Sequence, residues 1–167
     1  DGGTDPAATI RAIYYWHAQG LGWGDIGYNY IIDPAGNIYH GRKGGDGVIG
    51  GHTYNSSTDV NFNPGSVGIA ILGCFEDTPG ACYTQTPITQ ATRDSLAQLI
   101  GIKAAEFEID PSSEVTFHGK TIQRVIGHRD VDYTFCPGSA MEADIPAIQG
   151  AAHTVYMSLA KSNYEGS

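Results

Sequence analysis

The 167 residues carry 18 acidic against 9 basic side chains, a formal net charge of -9, and 41% of them are apolar. That supplies one compact domain with a sizeable core and too little chain for two, so residues 1–167 read as a single domain with its core over about 5–161. No cluster of Lys and Arg offers a phosphate-binding surface, which argues against nucleic acid as a partner. The longest apolar run, Val67 to Phe75, is broken by glycines and falls short of the roughly 20 residues that span a bilayer, so no membrane span is expected.

The chain opens on Asp1 without a signal-like apolar segment and reads as a mature form or a fragment. Asp5 can cap a helix and Pro6 can occupy its first turn, with Ile10, Ile13, Tyr14 and His17 recurring at helical spacing until Gly20. This predicts one buried face, on which His17 is a structural histidine. Two β-prone runs, Trp23 to Asp33 and Ile38 to Arg42, are joined by Pro34-Ala35-Gly36-Asn37 and predict a hairpin. By itself Tyr28 reads as a half-buried strand residue.

Val67 to Leu72 is rich in β-branched and small apolar residues, as a central strand covered on both faces would be. Thr89 caps a predicted helix to Phe107, with Leu96, Leu99, Ile100, Ala104 and Phe107 inward. Val115 to Lys120 is a weakly specified loop or strand, with His118 solvated. Val125 and Ile126 read as the end of a buried strand. Pro146 is placed at the start of a last helix that turns Ile145, Ile148, Val155, Tyr156 and Leu159 to the core, with a loose polar tail past Lys161.

The chemistry concentrates in Gly127-His128-Arg129-Asp130 and Thr134-Phe135-Cys136-Pro137-Gly138. Pro137-Gly138 cannot extend a strand or helix, so His128 and Cys136 sit on a loop that bends back and can aim both side chains at one ion. Imidazole and thiolate both bind zinc, and a catalytic zinc takes three protein ligands and leaves a fourth position open. One ligand is unaccounted for, and a lone His and Cys at this spacing are more often a surface histidine and a buried thiol. With three cysteines, Cys74 and Cys82 can close a short loop and leave Cys136 free, which points to an oxidising compartment; two reduced cysteines in a cytosolic loop are the alternative.

G-H-R-D followed by T-x-C-P-G resembles the last motif of the type 2 N-acetylmuramoyl-L-alanine amidase and peptidoglycan recognition protein family, related to the phage-lysozyme zinc amidases. W-x-D-I-G-Y-N-Y followed by D-x-x-G-x-I-Y-x-G-R resembles its second motif, and Gly50-Gly51-His52-Thr53 with Asn63-Pro64-Gly65-Ser66 its third. The resemblance implies an α/β fold with a mixed central β-sheet flanked by helices. It further implies zinc held by His128 and Cys136, catalytic roles for Tyr28 and Thr134, and a groove bordered by His52 and Asn63, with Asn55 competing for the latter role. The activity it implies is hydrolysis of the amide between N-acetylmuramic acid and L-alanine in peptidoglycan or muropeptides, by a secreted or cell-wall-associated protein.

One departure stands out: the family's first motif, an H-H-T strand whose first His is the third zinc ligand, has no counterpart before Asp5. The sheet is therefore expected to lack its first strand, and a separate N-terminal segment is a candidate source of the third ligand. Two further classes share these residues, a peptidoglycan-binding receptor that does not cleave and a cysteine hydrolase using Cys136 with His128. No Walker loop or dinucleotide fingerprint occurs, so zinc is the only cofactor implied.

Overall fold

The structure, a computed structural model, describes residues 5–165. Helix α1, Pro6–Tyr15, starts as its sequence dictates: the Asp5 carboxylate accepts from Ala8 N at 2.9 Å and Pro6 supplies the fixed φ of the first turn. The chain then widens into a π turn, Trp16–Gly20, which the spacing did not announce. Strands β1, Tyr30–Ile32, and β2, Ile38–His40, form the expected antiparallel hairpin, and β5, Ile69–Ile71, runs parallel to β1 on its other side. The hairpin turn is held by Asp33, whose buried carboxylate accepts from Ala35 N, Asn37 N, Asn37 Nδ2 and Tyr39 Oη. Burial pushes its pKa up, but these bonds, led by Asn37, hold it below the usual carboxylate range.

Two short ladders complete the β structure: β3, Tyr54–Asn55, with β4, Val60–Asn61, and β6, Glu114–Phe117, with β7, Lys120–Gln123. Helix α2, Gln90–Glu106, begins at the predicted Thr89 cap and packs on α3, Ser139–Glu165. Their approach is close at Gly101, where any Cβ would collide with Val155 and the Ala152 carbonyl.

The hairpin strand β1 divides the core, since successive side chains leave a strand on opposite faces. Tyr30 and Ile32 join Phe75, Leu96, Leu99, Met141 and Ile148 beneath α2 and α3. Ile31 joins Ile26 and Leu72 on the other face, beneath Ile10 and Ile13 of α1. The molecule is thus an α/β fold with helices on both faces of a small mixed sheet.

Several expectations are corrected. Among the described residues β5 pairs only with β1, so the Val67 to Leu72 strand stands at the sheet's edge, with Ile69–Ile71 half-buried, instead of in a covered centre. Tyr14, Phe107 and Leu159 are exposed, Phe107 because it caps α2 beyond its last turn, Tyr14 and Leu159 because their helix faces turn to solvent there. Val125 and Ile126 follow β7 as a bend, the last rung being Arg124 N to Ser113 O at 3.0 Å. Pro146 lies inside α3, which starts at Ser139 directly after Gly138, a residue with φ of +95° that breaks the preceding turn. The helix continues to Glu165, past the Lys161 boundary expected for the tail. No helix among the described residues is long and apolar enough to cross a membrane.

Candidate active site

Tyr28, His52, His128 and Cys136 all lie outside the strands and α-helices. The His128 loop opens with a 3-10 turn, His128–Asp130, closed by Gly127 N donating to Asp130 Oδ2 at 2.9 Å. Its two ends are tied by Arg129 N to Cys136 O at 3.0 Å, and Thr134 Oγ1 accepts from Cys136 N at 3.1 Å. Thr134 therefore sets the Cys136 backbone while its own hydroxyl proton stays available to donate.

His128 Nε2 is buried without a hydrogen-bond partner; the nearest carboxylate oxygen, Asp132 Oδ2, is 3.5 Å away and poorly directed. Burial lowers the His128 pKa against the opposing pull of Asp132. Cys136 is an exposed residue whose sulfur is nonetheless flanked by protein. Partial desolvation raises its thiol pKa, with Arg129 pulling it down and Glu142 pushing it up.

Tyr28 approaches from the segment before β1. Its carbonyl accepts from Arg42 N at 2.8 Å, and the next residue, Asn29, is fully buried with Oδ1 accepting from Gly68 N and Nδ2 donating to the carbonyls of Gly45 and Val48. Asn29 thereby fixes Tyr28 between the sheet and the loop after β2. Burial raises the Tyr28 pKa, and the charge of Cys136, within electrostatic reach, adds to the rise.

His52 is placed by backbone and glycine. Asn63 Oδ1 accepts from His52 N at 2.7 Å and Thr53 N at 2.9 Å, and the imidazole lies where a Cβ on Gly50 or Gly68 would overlap it. Burial first, then the charges of His128 and Arg42, lowers its pKa to about 4, so the ring is neutral near pH 7, with Nε2 buried and unpartnered.

The structure therefore gathers Tyr28 with Cys136 and His52 with His128. Asn63 does not offer its amide to a groove: it is buried, its oxygen is occupied by the two backbone donors, and Nδ2 donates to Asn61 Oδ1 at 2.7 Å. Asn55 instead bridges to the His128 loop, donating to Val131 O at 2.8 Å. Cys74 and Cys82 form a disulfide, with Cα atoms 5.8 Å apart, as expected. His17 is satisfied, its Nδ1 accepting from Gly27 N at 3.0 Å. His118 adopts a left-handed φ of +48° and stacks edge-on with Phe117.

Two residues escaped the sequence reading. Glu76, inside the disulfide loop, is buried and accepts from Arg129 Nη2 at 2.8 Å. The signal was present as an acidic residue beside the apolar Phe75, and as Arg129 inside the motif already singled out.

Residues that fit zinc are His128, with its unpartnered buried nitrogen, and Cys136. No group of three or more metal-capable side chains gathers among the described residues.

Residues 2–139 match the family described as N-acetylmuramoyl-L-alanine amidase. Peptidoglycan-recognition protein SC2 of Drosophila simulans is 32% identical over 132 residues, 78% of this chain and 56% of its own length. A variant of Drosophila PGRP-LB solved in complex with tracheal cytotoxin aligns with a TM-score of 0.65 at 28% identity, covering 88% of this chain and 72% of that one. N-acetylmuramoyl-L-alanine amidase LysC from Clostridium intestinale aligns with a TM-score of 0.62 at 25% identity, covering 84% and 73%. The chain spans about half the length of the curated relatives it matches.

Proposed function

Because the chain belongs to the N-acetylmuramoyl-L-alanine amidase family, we propose that it is a single-domain, zinc-dependent peptidoglycan amidase that cleaves the amide between N-acetylmuramic acid and L-alanine. The observation that carries this reading is the unpartnered buried nitrogen of His128 on the same closed loop as Cys136, with Tyr28 within electrostatic reach of the thiol. His128 and Cys136 would hold the metal, and a third protein ligand would have to come from a donor that the described residues do not bring. Bound zinc supplies Lewis acidity toward water and the scissile carbonyl.

The protein's own groups do the rest. The Tyr28 hydroxyl, whose raised pKa keeps it protonated, donates to the oxygen of the scissile carbonyl as negative charge develops there. Thr134 holds the Cys136 backbone and turns its proton toward the same charge. Neutral His52, fixed by Asn63, forms one wall of the groove for a muropeptide. Binding of a muropeptide by this chain is supported by the related PGRP-LB variant solved with tracheal cytotoxin. The disulfide supports an extracellular or cell-wall location.

A second reading, recognition of peptidoglycan without cleavage, is favoured by the lack of a third metal-capable side chain beside His128 and Cys136 among the described residues. The two are separated by incubating the zinc-loaded protein with a muramyl peptide, following release of the peptide by mass spectrometry and binding by calorimetry. Cleavage that a chelator abolishes supports the amidase. Binding without release, with zinc present, supports recognition, and neither binding nor release removes both.

A further inference from the structure

Glu76 lies outside the residues so far given a role, yet it is the most densely bonded side chain near them. Its Oε1 accepts from Thr78 N, Thr78 Oγ1 and Ser139 Oγ at 3.1, 2.7 and 2.9 Å, and its Oε2 from Arg129 Nη2 and Ser139 N at 2.8 and 3.1 Å. Those donors come from three places: its own turn, the His128 loop, and the first residue of the long helix α3, whose positive end favours a carboxylate. The Arg129 guanidinium also donates to Phe135 O, and its backbone N–H to Cys136 O. One carboxylate thus anchors an arginine that grips the Cys136 loop at two successive carbonyls.

The segment bearing Glu76 is itself pinned. The Cys74–Cys82 disulfide spans it, Gln85 Nε2 donates to Glu76 O at 3.1 Å, and Phe75 O accepts from Ala140 N at 3.0 Å. Gly138 packs so tightly on the Phe75 and Glu76 backbone that no Cβ fits between them.

We infer that Glu76 is a positioning residue that acts through Arg129 to hold Cys136 where it serves as a metal ligand, with the Cys74–Cys82 disulfide as its brace. This rests on the zinc reading above. Groups behind a ligand typically contribute ten- to a hundredfold in metal affinity when removed, because they fix the ligand's orientation before the metal arrives. A charge-assisted bond from a guanidinium to a carboxylate whose other oxygen is already held in place is suited to that task, because its donor direction is fixed.

The test uses the whole chain and two readouts: zinc affinity by competition with a chromophoric chelator, and the rate at which Cys136, the free thiol, is alkylated at one fixed pH in zinc-free protein. Glu76→Gln keeps the shape but presents an amide where donors converge. It is expected to weaken zinc about ten- to a hundredfold and to speed alkylation. Arg129→Lys, which keeps the charge but loses the planar guanidinium whose Nη2 bonds both Glu76 and Phe135 O, is expected to do the same, and the double variant to be no worse than either single one.

A merely structural role would lower the melting temperature and leave both readouts of the folded variants unchanged, and that result overturns the inference. Should Glu76→Gln fail to fold, Arg129→Lys alone decides on the same criteria. If the native chain binds no zinc, the amidase reading falls while the alkylation comparison still decides: faster in the variants supports the positioning role, equal rates end it.

Discussion

His17, buried, and His128, half-buried with its Nε2 enclosed, lie in contrasting regions. Around His17 every local demand is met: Nδ1 accepts from Gly27 N, Trp23 N donates to the His17 carbonyl, and the rings of Trp16, Trp23 and Tyr28 enclose the imidazole. Around His128 the backbone is equally well tied, but the side-chain nitrogen is left without a partner. Because an unpaired buried polar atom costs about 1–3 kcal/mol, a fold that keeps one at the centre of a well-bonded loop implies a use for it. Burial of the residue alone does not mark a functional histidine; an enclosed ring nitrogen with no partner does.

The comparison breaks most sharply by truncation. His128→Ala and Cys136→Ala are each expected to reduce zinc content after dialysis to background and to abolish amide cleavage, with little change in melting temperature, as read by atomic emission and thermal unfolding. Retained zinc and activity in either variant would remove that residue from the site.

Next in size, Tyr28→Phe in the active protein is expected to lower kcat by about two orders of magnitude with KM nearly unchanged, since the lost hydroxyl acts on the developing charge. An unchanged kcat would return Tyr28 to the status of a half-buried strand residue. His17→Ala should then show the converse of His128→Ala. Losing the acceptor for Gly27 N and the packing between two tryptophans should cost about 2 kcal/mol or more of stability in denaturant titration, while zinc affinity in the folded state is retained. If His17→Ala instead removes zinc and leaves stability intact, the assignment of the two histidines is reversed.

Sequence alone made the local elements legible. Asp5 with Pro6, the Pro34–Asn37 turn and Thr89 each carry their own physical instruction, and the structure places α1, the hairpin and α2 on them. Pro146 signals a helix start that lies inside α3, whereas Gly138 followed by Ser139-Ala140-Met141-Glu142 is the break and capping pattern at its true start. The edge position of β5 was not legible either, since a run of small and β-branched residues reports burial and not which partner lies beside it. In the site, resemblance and residue chemistry named the side chains that meet. The buried, saturated amide of Asn63 and the Glu76–Arg129 pair depend on contacts between residues 11 and 53 positions apart, which no local pattern encodes.

The smallest effect concerns pH and tests whether the saturated side of the contrast is electrostatic. Hydrogen bonds from Thr78, then Arg129 and Ser139, hold the Glu76 carboxyl at about 2, against 4.5 ordinarily. Its folded pKa is depressed, so the unfolded chain binds the proton first as pH falls. The stability Glu76 contributes is therefore complete above about pH 4.5 and declines through the window down to about 2. Other acidic groups titrate in the same range, so the informative quantity is a difference: Glu76→Gln should show a shallower loss of stability between those limits than the native chain, with the two curves approaching each other at the acid end. Parallel curves in urea titrations across that window would mean that Glu76 is held by packing, and that the pair with Arg129 contributes no charge-dependent stability.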